Sequence, residues 1–69
     1  MEYFKVNLYP EDEHCIIFKE EVVAYHTFTT IDTGEEHSKI LLKGGHTITV
    51  LETIFEIHDL IYPPVTDLY

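Results

Sequence analysis

Arginine and tryptophan are absent from this chain of 69 residues, and it holds one cysteine and one methionine. Each absence excludes something. Without arginine there is no planar fork to read phosphates or guanine. Four lysines stand against thirteen acidic residues, for a net charge of −9. Few cations are therefore on hand to displace counterions from a nucleic-acid backbone, and no direct nucleic-acid partner is expected. The lone Cys15 rules out an internal disulfide. No apolar run approaches the ~20 residues of a membrane span, so no membrane partner is expected either. The first residues, Met1-Glu2-Tyr3-Phe4-Lys5, lack the basic start and apolar stretch of a signal peptide. With one free cysteine, this points to a reducing cytoplasm.

What is present fits one small domain. Hydrophobic residues make up 45% of the chain, enough for a packed core. A chain this short buries only roughly 60% of its unfolded surface and is marginal alone. Disulfides, a structural metal or oligomerisation are the usual remedies. With no disulfide and no local metal motif, a homo-oligomer is expected.

Hydrophobic periodicity gives the elements. Glu2 to Tyr9 alternates, with Phe4, Val6 and Leu8 on one side, and predicts a half-buried strand. Pro10-Glu11-Asp12-Glu13 makes a solvated turn. His14 to Lys19 carries apolar residues on both faces, which predicts a central strand or one covered by a partner. Lys19-Glu20-Glu21 is a short polar connection. Val22 to Asp32 is β-branched and aromatic throughout. It is long for a strand, so a bulge is expected near His26-Thr27. Asp32-Thr33-Gly34-Glu35-Glu36 is a turn.

The densest signal follows. His37 to Lys43 and His46 to Leu51 read as a hairpin closed by Lys43-Gly44-Gly45. A three-residue loop sets Ile40 and Leu42 beside Ile48 and Val50 on one face, away from Thr47 and Thr49. Thr53-Ile54-Phe55-Glu56 matches a capping box. The helix behind it carries Ile54, Ile57 and Ile61 on one stripe, widened by Phe55 and Leu60. Pro63-Pro64 ends it.

Candidate chemistry is sparse. His14, His26, His37, His46 and His58 are spaced 12, 11, 9 and 12 apart, so no pair has local ligand spacing. His37 and His46 are expected to approach each other at matching ends of the hairpin. No metal or cofactor is expected. Cys15 sits among apolar neighbours as a buried thiol rather than a nucleophile. Ser38 has no nucleophile-elbow context. Gly44-Gly45 is followed by a strand, which argues against a phosphate loop. No catalytic residue and no enzymatic activity are expected. The residues left as candidates for contact are Glu11, Asp12, Glu13, Glu20, Glu21, Glu35 and Glu36 in the turns, together with Tyr62, Leu68 and Tyr69 near the tail.

The run from Leu42 through Gly44-Gly45-His46 and Val50-Leu51-Glu52-Thr53 to Ile57 resembles small bacterial proteins of the FlbD-like flagellar and swarming-motility family. Cys15-Ile16-Ile17-Phe18 and Glu21-Val22-Val23-Ala24-Tyr25 resemble that family's preceding strands, so the likeness covers residues 14–61. Similar short proteins occur in phage and prophage genomes. The resemblance implies a non-enzymatic role through protein contacts and carries over no catalytic residue. The chain departs from the pattern in its extra N-terminal strand, in Gly-Gly for Asn-Gly and in its Pro-Pro tail.

Together these readings predict an α+β domain over residues 1–62. It would be a small antiparallel sheet of about five strands, able to curl towards a barrel, with one C-terminal helix at about 53–62. An extended tail would follow at 63–69. The expected core is Phe4, Val6, Leu8, Ile17, Val23, Ile40, Leu42, Ile48, Val50, Ile54, Ile57 and Ile61. The expected function is a regulatory protein–protein interaction module that binds itself or a host protein. The alternatives are a phage-encoded acidic inhibitor, such as a DNA mimic or anti-defence protein, and a small-ligand sponge built at a subunit interface.

Overall fold

The computed structural model describes residues 2–63. Of the tail expected at 63–69, only Pro63 lies within them. In chain order come β1 (Tyr3–Asn7), β2 (His14–Phe18), a 3-10 turn (Lys19–Glu21), β3 (Val22–Thr29), β4 (Glu36–Leu42), β5 (His46–Val50) and α1 (Ile54–Ile61). The class is α+β, with antiparallel pairing throughout.

The strands divide into two sheets rather than one. β1 and β2 form a two-stranded sheet, and β3-β4-β5 form a three-stranded meander. Neither closes into a barrel. They are joined at one corner, where Leu8 bridges Val50. There Leu51 N donates to Asn7 O at 2.7 Å and Tyr9 N to Thr49 O at 2.9 Å. The Glu52 carboxylate accepts from Asn7 N at 3.1 Å and from Asn7 Nδ2 at 3.0 Å.

The core lies where the two sheets and the helix meet. Phe4, Val6, Ile17, Ile40, Val50 and Ile57 are buried, ringed by half-buried Leu8, Cys15, Val22, Tyr25, Leu42, Ile48 and Ile61. Ile54 is half-buried. Each buried aliphatic side chain contributes about 1.5–3 kcal/mol relative to exposure. The β4–β5 register pairs Ile40 with Ile48 and Leu42 with His46, which leaves the three-residue loop 43–45. Both loop glycines take positive φ, 86° and 85°, a region that favours glycine.

Several expectations are corrected. β3 ends at Thr29, and its irregularity falls between Val22 and Ala24, not at His26-Thr27. Val23 is the extra residue there. A bulge inserts one residue without a partner, so Val22 and Tyr25 both face inward and Val23 turns out, 63% exposed. It is not in the core. Among the described residues β2 has β1 on one side only, so it is an edge strand there, not a central one. On α1 only a narrow stripe meets the sheets, and Phe55 and Leu60 are exposed instead of widening it.

Thr53 caps α1 as expected. Its hydroxyl accepts from Glu56 N at 3.3 Å, while the Glu56 carboxylate accepts from Thr53 N at 2.9 Å. The cap sets the helix start and so the depth at which Ile57 enters the core. Thr53→Ala should lower stability by about 1 kcal/mol, read from the shift of the urea unfolding midpoint.

Candidate functional site

Direct partners across β1 and β2 share a face, because paired residues in an antiparallel ladder lie on the same side. Phe4 with Ile17 and Val6 with Cys15 face the core. Tyr3 with Phe18, Lys5 with Ile16 and Asn7 with His14 face the other way. On this outer face Tyr3 is 61%, Ile16 59% and Phe18 43% exposed. The Tyr3 and Phe18 rings meet edge to face at 6.4 Å. No carboxylate side chain belongs to these outward residues, in a chain with thirteen acidic ones. The double-sided hydrophobicity of residues 14–19 signalled this face in the sequence, as that of a central strand or of one covered by a partner.

Alongside β2 runs an open groove of about 220 Å³. Ile16 and Phe18 form one side, and Leu42, Lys43, His46 and Ile48 of the β4–β5 hairpin form the other. The two sheets, joined at the Leu8–Val50 corner, stand apart here.

The acidic candidates fall into two groups. Glu11, Asp12 and Glu13 lie on the β1–β2 turn, and Glu35 and Glu36 on or beside the β3–β4 turn, all exposed. Tyr9 brings these turns together. Its ring packs 4.7 Å from His37 and 5.9 Å from Phe28. It also helps line a hollow of about 350 Å³ with residues Phe28 to Asp32. Glu20 and Glu21 are elsewhere, in the 3-10 turn against the β4–β5 loop, where Lys43 N donates to Glu21 O at 2.9 Å. Tyr62 is exposed at the end of α1 and stacks on His58 at 5.2 Å. Leu68 and Tyr69 lie outside the described residues.

The histidines do not converge. His46 sits beside the hairpin loop, opposite Leu42, whereas His37 is at the far end, where its Nδ1 donates to Leu51 O at 2.9 Å. The expectation that the two approach each other is wrong. His37 is the second residue of β4 and His46 the first of β5, and in an antiparallel pair the strand starts are at opposite ends. His14 Nδ1 bonds Asn7 Oδ1 at 3.0 Å, and His58 Nδ1 bonds Tyr25 Oη at 3.0 Å. Among the described residues no group of three or more His, Cys, Asp or Glu side chains could hold a metal. Cys15 is half-buried rather than buried. Ser38 is fully buried. No helix among the described residues is long and apolar enough to cross a membrane.

Comparison with family models, curated proteins and solved structures found no match.

The two faces of β2 should respond differently to substitution. Ile16→Thr, on the outer face, should change unfolding stability by no more than about 0.5 kcal/mol. Ile17→Ala, one residue on and 5% exposed, should cost about 2–5 kcal/mol. Urea unfolding of both variants checks the assignment.

Proposed function

We propose that this chain is a non-enzymatic protein–protein contact module that self-associates through the outer face of the β1–β2 sheet. The observation that carries the reading is the joint exposure of Tyr3, Ile16 and Phe18 on one face whose own paired residues include no acid. Contiguous exposed apolar surface marks interaction sites on small proteins. Aromatic residues are favoured in interface cores, whereas charged residues are depleted there. Two copies meeting on this face bring no carboxylates of the face together, and a two-fold arrangement lets each patch serve both partners. The resemblance to FlbD-like proteins agrees with a contact role without catalysis.

A second reading has its own support. The β1–β2 and β3–β4 turns gather Glu11, Asp12, Glu13, Glu35 and Glu36 at one end of the molecule, around the Tyr9 hollow. Such an end could occupy the nucleic-acid-binding surface of a basic protein, as a phage-encoded acidic inhibitor would.

Salt separates the two. Copies that each carry a net charge of −9 repel one another, and screening beyond ~8–10 Å weakens that repulsion. Self-association should therefore tighten as salt rises, whereas capture of a basic partner should weaken. Sedimentation velocity over a wide concentration range should show an oligomer favoured by salt, and Ile16→Asp should return it to monomer with its fold intact. A native chain that stays monomeric at every concentration and salt level would refute self-association.

A further inference from the structure

We propose that two copies of this chain join along the outer edge of β2, strand to strand and antiparallel, with Ile16 on the two-fold axis. The inference rests on the self-association proposed above and names the contact that makes it. The first support is the direction of the β2 backbone. Lys19 N donates to Glu2 O and Leu8 N donates to Glu13 O, and both pairs continue the register of β1 with β2. Antiparallel ladders alternate bonded and non-bonded pairs. Phe4 with Ile17 and Val6 with Cys15 are therefore bonded pairs, and His14, Ile16 and Phe18 aim their N–H and C=O groups away from β1. Asn7, across from His14, shows the same alternation: its N–H and C=O turn away from β2, to Glu52 and Leu51. No strand of the described residues pairs with β2 on its far side.

The second support is the composition of that edge. Proteins commonly blunt an exposed edge with lysine, another charge or proline, because a row of unpaired backbone groups is a template for strand addition. β2 reads His14-Cys15-Ile16-Ile17-Phe18 and holds no acid, lysine or proline, in a chain with thirteen acidic residues.

The third support selects a second copy as the occupant, because β2 is complementary to itself in one register. With the axis at Ile16, that residue meets its own counterpart and His14 meets Phe18 of the second copy. All five residues of both strands then overlap. Just beyond them Glu13 comes opposite Lys19 of the second copy, once at each end. An axis at Cys15 sets Phe18 against Asp12, and an axis at Ile17 sets Glu13 against Glu21. Either one overlaps less of the strand. A two-fold axis normal to the sheet puts both cores on the same side. The two grooves, each walled by Leu42 and Ile48 across from β2, then face each other. On the opposite side Ile16 and Phe18 line the seam, and the two patches with Tyr3 become one surface.

Chemical synthesis of the full chain with an N-methyl group on the Ile16 amide tests the pairing. The group removes an edge-facing donor and leaves every side chain in place. Because that N–H makes no bond to β1, the urea unfolding midpoint of the monomer should be unchanged. In sedimentation velocity the native chain should associate, and the N-methyl chain should associate at least about tenfold more weakly, since each copy loses a hydrogen bond. In the native chain the Ile16 and Phe18 amides should exchange roughly 100-fold more slowly where it is associated than where it is diluted to monomer. Glu13→Lys should associate about 3–10-fold more weakly than Glu11→Lys, which changes the net charge equally but meets no lysine in this register. An N-methyl chain that associates as tightly as the native one would overturn the edge pairing and leave self-association through the outer face standing. So would edge amides that exchange alike in monomer and oligomer. Glu13→Lys no weaker than Glu11→Lys would overturn the register. A native chain that never associates would overturn both this inference and the reading it rests on.

Discussion

The structure depends on one polar junction. Two small sheets with a shared core need something to hold them at one angle, and the Glu52 carboxylate does so. It accepts from the backbone and the side chain of Asn7 at 3.0–3.1 Å. Asn7 Oδ1 is engaged by His14, which orients the amide so that its nitrogen faces Glu52. The Leu8–Val50 bridge and the Leu51-to-Asn7 bond lie directly beside this clamp. Hydrogen bonds to an ionised acceptor contribute about 1.5–3 kcal/mol, somewhat less where water reaches them, as at this half-buried site. The end of β1 is thereby held on both edges at Asn7, by β2 on one side and by Glu52 with the end of β5 on the other.

Joining the sheets at one corner leaves the opposite side apart. That is why β2 is an edge, why the groove opens beside the β4–β5 loop, and why residues 14–18 show apolar side chains to solvent. The apolar surface of β2 is divided between two jobs. Ile17 and part of Cys15 belong to the core. Ile16 and Phe18 are exposed on the outer face, the surface of the proposed contact. A chain too short to bury all its hydrophobic surface internally has that surface available for contact, and the proposed contact role follows from the same geometry as the fold.

Much of this was legible in the residues. The hairpin register followed from placing Ile40, Leu42, Ile48 and Val50 on one face, and the helix start from Thr53 and Glu56. These signals are local, and local chemistry decides them. The bulge at Val23 was not legible, because Val22, Val23 and Ala24 all suit a strand and only pairing with Leu41 and Leu42 picks out the extra residue. The junction was missed for a related reason. Glu52 and Asn7 are 45 residues apart, and neither is unusual where it stands. The exposed outer face was half legible. Its two-sided pattern was plain, but whether β2 lay at the centre or the edge depended on how the sheets divide. The acidic turns were readable as solvated, while the meeting of two of them around Tyr9 needed the tertiary fold.

The clamp at Glu52 is the part of this account most directly open to measurement. Urea unfolding of Glu52→Ala should show one cooperative transition, like the native chain, with stability lower by about 1–3 kcal/mol because the Asn7 donors lose their acceptor. A midpoint and slope indistinguishable from those of the native chain would contradict the claim that this carboxylate holds the two sheets together.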